Sequence, residues 1–283
     1  MQPVDLAQLR QEIDRIDDGI VELLAARSAV VRQVATVKGD KANGRAAIRP
    51  AREAQILRRL ARSAEGRFPP AVLVQLWREM ICSFTRAQAP LNLVVVVPPG
   101  QPGIWDLARD HFGALTPAQR SDEPLGALRA VADGRAQIAV LPLPTGQSWW
   151  RSLLPASGTA PMLQVIARLP FVARPQGDEA LAVAAVPLEP SGDDRSLLVI
   201  ETTGELSRGT LHERLAACGR EPRLIDMIDG GRVAPTLHLV EVAGFVAADL
   251  AALADDFGSL AEHVRRVSPI GAYARPLELS PDR

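Results

Sequence analysis

From Leu6 to Lys38 the chain reads LAQLRQEIDRIDDGIVELLAARSAVVRQVATVK, with no proline, one glycine (Gly19) and apolar residues at helical spacing. This predicts one unbroken helix. Asp5, followed three places on by Gln8, has the form of a capping box, and Gly39 stands where a C-terminal glycine stop belongs. At 1.5 Å per residue such a helix is about 50 Å long, too long for one small core, so it needs a partner along its length. The register shows where. Leu6, Ile13, Ile20 and Val34 occupy one core position of a heptad, and Leu9, Ile16, Leu23, Val30 and Val37 the other.

The pattern then changes twice. GDKANGRA is a loop, a second helix opens near Pro50 through REAQILRRLARSA, and a third runs from about Pro70 through AVLVQLWREMICSFTRAQ. The third helix is expected to turn Val72, Leu73, Leu76, Trp77, Met80, Ile81 and Phe84 inward. After a linker, RAQAPLN, the buried strand LNLVVVVPPG, the helices IWDLARDHFG and EPLGALRAVADGR and the strand AQIAVLPLP alternate as an α/β unit. From about Asp194 the order becomes strand SLLVIET, helix LSRGTLHERLAACG, strand PRLIDMI, strand TLHLVEVAG, helix AADLAALADDF and a strand near VSPIGAYAR, a βαββαβ arrangement. The expected organisation is therefore an all-α three-helix domain (1–90), an α/β segment (91–193) and a ferredoxin-like domain (194–283).

Composition narrows the chemistry. With 283 residues, 47% of them hydrophobic, there is material for more than one core. A net charge of −1 without a basic tract argues against nucleic acid as a partner. MQPVDLAQLRQE carries no apolar signal core and no apolar run is long enough for a membrane span, so a cytoplasmic, membrane-free protein is expected. Cys82 and Cys218 are isolated and read as reduced core residues. His111, His212, His238 and His263 have no metal-ligand spacing, so neither a metal nor another cofactor is expected. PPGQPG lacks the GxGxxG or GK[ST] context of an anion loop and reads as a turn.

One position breaks the seam of the first helix. Arg27 sits where Leu or Ile belongs, and a guanidinium left unpaired there costs several kcal/mol, on the order expected for an uncompensated interior charge. Glu22 is not at i−3 or i−4 and does not reach it. Arg10 and Lys38 flank the seam on one edge. Arg10 is about 25 Å from Arg27 along the axis, so one small ligand cannot touch both within a chain. An antiparallel second copy brings its Arg10 to the Arg27 and Lys38 end, which points to a two-fold dimer with two anion sites. Taken singly, Arg10 and Lys38 also read as solvated edge charges, and Arg52 and Glu53 as ordinary helix-surface charges.

LRxxIDxID and LLAxR on one long helix, a lysine eleven residues later, RPxREAxIL, and a third helix ending in a glutamine resemble the all-helical class of chorismate mutases over roughly the first 90 residues. The resemblance implies an intertwined homodimer that rearranges chorismate to prephenate with no covalent intermediate and no cofactor. Matched position by position, it implies that Arg27 and the partner protomer's Arg10 bind substrate carboxylates. Lys38 and Gln88 would donate to the ether oxygen, Glu53 would hold the substrate hydroxyl, and Arg52 would be a further ligand. Two positions depart from the pattern: Arg49 stands where an acidic residue is familiar, and Phe84 where a small hydroxyl or sulfur residue is.

The second segment resembles the first lobe of prephenate dehydratase, but its motifs are altered. Pro142, Leu143, Pro144, Thr145 and Gly146 replace a Pro-Ile-Glu-Asn-Ser run, and ARLPF and EALAVAAVP are the nearest stretches to the Thr-Arg-Phe signature. Between Trp149 and Asp194 there is too little chain for the family's second lobe, so a degenerate relic is expected. The last segment resembles an ACT regulatory domain, with Gly204, Glu205, Leu206 and LIDMID in place of the family's phenylalanine-binding motifs. The function implied is a chorismate mutase. Two alternatives stay open: a bifunctional mutase and dehydratase, and a non-catalytic regulator that binds metabolites or a partner enzyme of the aromatic pathway.

Overall fold

The computed structural model describes residues 5–38, 47–144, 146–155, 163–203, 206–231, 234–246 and 250–279, without the side chains of residues 35, 38, 250–252 and 254. The expected loop at 39–46, the Gly39 stop, Thr145, Gly204, Glu205 and the Lys38 side chain lie outside them.

The first helix, α1, spans Leu6–Lys38 without a break. Asp5 caps it, its carboxylate accepting from the Ala7 N–H at 3.1 Å. Helices α2 (Pro50–Ala64) and α3 (Pro70–Gln88) each begin on a proline, whose fixed φ suits a first turn. Ala51, Ala54, Leu57, Ala61 and Ala64 of α2 are buried. The facing stripe of α3 is Val74, Arg78, Ile81, Cys82 and Thr85, and of the expected inward residues Val72 and Leu76 are exposed. The apolar seam of α1 is open as well: its Leu, Ile and Val residues are between 44% (Val34) and 88% (Val37) exposed.

The described strands form one nine-stranded sheet. Its first part contains β1 (Leu93–Val96), β2 (Ala118–Ser121), β3 (Ile138–Pro142), β4 (Gln164–Leu169) and β5 (Ala180–Ala184). β1 pairs in parallel with β2 and β3, while β5 lies antiparallel between β3 and β4. Helix α4 (Gly103–Phe112) covers one face. Helix α5 (Pro124–Ala132) and a 3-10 helix, Ser148–Leu153, cover the other, so β1, β3 and β5 are buried along their whole length. The stretch between Trp149 and Asp194 thus supplies two sheet strands, β4 and β5, and ARLPF and EALAVAAVP lie largely on them.

The second part runs β6 (Asp194–Thr202), α6 (Arg208–Ala217), β7 (Arg223–Ile228), β8 (Thr236–Ala243), α7 (Leu250–Phe257) and β9 (Val264–Ala274). Its strands are ordered β9-β6-β8-β7, all antiparallel to their neighbours. The sheet passes unbroken from one part to the other at β4 and β9, through the single registered pair Val165 and Gly271. A Cβ on Gly271 would fall 2.5 Å from the Val165 carbonyl oxygen, so glycine permits this close approach. The helices pack at the C-terminal ends of β4 and β9, where Phe171, Val172, Ala274, Leu277 and Leu279 meet Leu57, Val74 and Ile81. Arg58 of α2 ties this contact, donating to Ser191 Oγ at 2.8 Å and to the Arg275 carbonyl at 3.2 Å.

Candidate active site

Arg27 lies with its guanidinium carbon 4.7 Å from the centroid of the Phe84 ring. Its Nη1 is shielded from water and has no hydrogen-bond partner among the described residues. Burial pulls its pKa down. A guanidinium nitrogen in this condition forgoes about 1–3 kcal/mol of solvation that an incoming anion can restore. Gln88, one turn beyond Phe84, donates its amide Nε2 to the Phe84 carbonyl at 3.1 Å. Arg27 and Gln88 are thus gathered around one residue of α3.

Glu53, in the first turn of α2, is held by a different residue of α3. Its Oε2 accepts from Arg78 Nη1 at 3.2 Å, and its Oε1 from the Arg49 backbone N–H at 3.4 Å. The side chains of Glu53 and Arg78 are 14% and 5% exposed, so this is a buried ion pair and not a helix-surface charge. Burial pushes the Glu53 pKa up, against the opposing pull of Arg78 and of the Arg49 N–H. Burial likewise draws Arg78 down, against Glu53. Behind this pair His111 is fully enclosed, and burial, then the Arg78 charge, hold it well below the ordinary histidine range.

The other expected ligands lie apart. Arg52 is exposed, with a marginal 3.5 Å contact to Gln55. Arg10 is exposed on α1, and Lys38 is its last helical residue. Arg49 turns to the connection between β5 and β6 and pairs there with Glu189 at 3.0 Å. A groove of about 450 Å³ beside Phe84 is lined by Leu24, Leu76, Met80 and neighbours, and none of the six expected residues lines it. The residue missed in the sequence is Arg78; its signal was a charge recurring with Val74, Ile81, Cys82 and Thr85 on one helical stripe.

A second polar centre lies at the joint of the sheet. Arg168, in the ARLPF stretch, pairs with Glu179 at 2.8 Å and Glu241 at 2.6 Å, and Tyr273 donates its hydroxyl to Glu241. Burial disfavours the Arg168 cation, but the carboxylates of Glu241 and Glu179 outweigh it and hold the pKa up. Among the described residues no group of three or more His, Cys, Asp or Glu could hold a metal ion, and no helix is long and apolar enough to cross a membrane.

The family model for chorismate mutase type II matches residues 9–89, which span α1, α2 and α3. The helical segment is similar to the type II chorismate mutase domain over these residues. The chain is 31% identical over 144 residues to the bifunctional chorismate mutase/prephenate dehydratase of Pseudomonas aeruginosa, a match covering 49% of this chain and 38% of that protein. It is 32% identical over 98 residues to the protein of the same name from Aquifex aeolicus, covering 33% of this chain and 26% of that one. The chain therefore spans well under half the length of these curated relatives. A solved prephenate dehydratase from Streptococcus mutans superposes with a TM-score of 0.47 at 11% identity, over 66% of this chain and 98% of that one. Beyond the mutase domain lies the mixed α/β region described above.

Proposed function

We propose that the protein is a homodimeric chorismate mutase that rearranges chorismate to prephenate in phenylalanine and tyrosine biosynthesis. The observation that carries this is the match of the three helices to the mutase family, together with the shielded, unpaired Nη1 of Arg27. In this reading Arg27 and the partner protomer's Arg10 hold the two substrate carboxylates, which folds the substrate into its compact reactive conformer. Arg52 is a further ligand, and the buried carboxylate of Glu53 accepts from the substrate hydroxyl. Lys38 and Gln88 donate to the ether oxygen as its bond to carbon breaks and negative charge grows there. The chemistry is an intramolecular rearrangement, so these groups stabilise charge and shape and none needs to exchange a proton with the substrate. The open seam of α1 supports the two-fold dimer, because its apolar residues lack cover from their own chain.

The domain reading that accompanies this is 1–90 mutase, 91–193 degenerate dehydratase-like and 194–283 ACT-like, in a cytoplasmic protein. The βαββαβ order and the β9-β6-β8-β7 arrangement support the last of these. The relatives' names raise a second activity, dehydration of prephenate. Against it, Arg168 already pairs with two carboxylates, Glu179 and Glu241, which compete with a substrate carboxylate for its guanidinium. The test is to incubate the purified chain with chorismate and identify the product. Prephenate supports the proposal, phenylpyruvate establishes the bifunctional reading, and unchanged chorismate rejects both.

A further inference from the structure

Arg78 stands in the middle of the stripe by which α3 packs on α2, a place where an arginine is tolerated only if its charge and donors are met. Two groups from different parts of the chain meet it. Glu53 of α2 supplies a carboxylate at 3.2 Å, and the Phe171 ring supplies a π-face 4.7 Å from the guanidinium carbon. Phe171 follows directly on the β4 end of the sheet and is fixed there. Its carbonyl accepts from the Leu277 N–H at 2.6 Å, its neighbour Ala173 donates to the Leu277 carbonyl at 2.8 Å, and its ring is buried with Leu57 and Ile81. The guanidinium is thus fixed by a residue of the α/β region, just beyond the end of β4, as well as by the carboxylate that the mutase reading assigns to the substrate hydroxyl.

We infer that Arg78 is a positioning residue for Glu53, and that Phe171 sets Arg78, so the α/β region acts on the mutase site through the relay Phe171, Arg78, Glu53. The physical reason is that Glu53 has few other restraints: the Arg49 N–H at 3.4 Å is long, and a nearly buried carboxylate without a counter-charge takes up a proton or turns toward water. The kinetic consequence rests on the mutase reading. The electrostatic consequence does not.

The test compares Arg78→Gln, Arg78→Lys, Phe171→Leu and Phe171→Tyr in the full chain. Two measurements are made: the pH profile of chorismate turnover, and the titration of the Glu53 carboxyl by ¹³C NMR, assigned with Glu53→Gln. Arg78→Gln should lower kcat/KM by about tenfold to a hundredfold, the scale of one hydrogen bond to a charged group, and move the acid limb to higher pH. Arg78→Lys should return the limb most of the way but not the rate, since it restores charge without the planar stack. Phe171→Leu should act in the same direction more weakly, and Phe171→Tyr should be close to the parent. An unaltered limb and unaltered Glu53 titration in folded Arg78→Gln overturns the relay, as does Phe171→Leu that changes melting temperature alone. If Arg78→Gln does not fold, Arg78→Lys and Phe171→Leu decide by the same criteria. If the parent consumes no chorismate, the mutase reading fails by itself, and the Glu53 titration still accepts or rejects Arg78.

Discussion

Replacing Ile20 by Asp tests the proposed dimer where it is most exposed to refutation. Ile20 sits between the Arg10 and Arg27 ends of α1 and is 50% exposed in the single chain, so about half of its side chain remains to be covered by a partner. Covering that half is worth about 1 kcal/mol per copy, and an unpaired carboxylate in its place adds roughly 2–3 kcal/mol of desolvation. A two-fold interface counts the change twice. The total, on the order of 7 kcal/mol, weakens association by about five powers of ten. Sedimentation velocity between micromolar and 100 μM protein should show the parent as a dimer and Ile20→Asp as a monomer. Circular dichroism should change little, because Ile20 lies outside the chain's own cores and Asp costs well under about 1 kcal/mol in helix propensity. Chorismate turnover should fall with the dimer, since each proposed site borrows Arg10. A variant that stays dimeric at micromolar concentration, or one that is monomeric and fully active, refutes the reasoning.

Arg10→Ala and Lys38→Ala should each lose most activity, roughly 3–4 kcal/mol for a transition-state donor, yet regain part of it when mixed and allowed to exchange subunits. No recovery after exchange confirmed by mass spectrometry rejects the crossed site. Phe84→Ser frees the Arg27 guanidinium from a ring contact worth about 0.5–1 kcal/mol, so KM for chorismate should drop about two- to fivefold; an unchanged or higher KM speaks against Phe84 restraining Arg27. Gly271→Ala drives a methyl into Val165 and should destabilise the fold by about 1–3 kcal/mol in urea titrations, with an unshifted midpoint as the contrary result. His111 carries a lowered pKa in the folded chain, so its contribution is complete above the unfolded histidine value near 6.5 and is lost as pH falls below it. At pH 5 the loss reaches at most about 2 kcal/mol, and His111→Leu, if it folds, should flatten that part of the stability profile.

The helical third was legible because its signals are local. Pro50, Pro70, the Asp5 cap and the heptads of α1 each act within a few residues, and the helices begin where these place them. Arg27 could be singled out because one charge in an apolar heptad is visible without any partner in view. The Glu53 and Arg78 pair was not, since its members are 25 positions apart on different helices and each alone looks like a surface charge. The inward face of α3 was misjudged for the same reason: Val72 and Leu76 fit an apolar stripe better than Arg78 does, and only Glu53 and Phe171 make burial of the arginine tolerable. β2, with the sequence AQRS, has no strand pattern of its own and exists by pairing with β1. β4 and β5 were not read as strands: β5, ALAVA, is small and alanine-rich and shows neither period, and β4, QVIARL, carries an arginine whose burial only the distant Glu179 and Glu241 make tolerable.

The joint between β4 and β9 has one registered pair, where neighbouring strands in the second part share five to nine. A ribbon fastened at one rung behaves like a book at its spine: each leaf keeps its own ladder, while one apolar cluster runs across the crease and joins Leu141, Trp150 and Leu181 of the first leaf with Leu197, Leu239 and Ile270 of the second. Beside it lie the ion pairs of Arg168 with Glu179 and Glu241 and the Tyr273 hydroxyl on Glu241, a polar cluster that tolerates rearrangement far less than apolar side chains would. The angle between the leaves is therefore held by a shared apolar core and by one directional polar cluster, and neutralising a member of that cluster should loosen the spine before it melts either leaf.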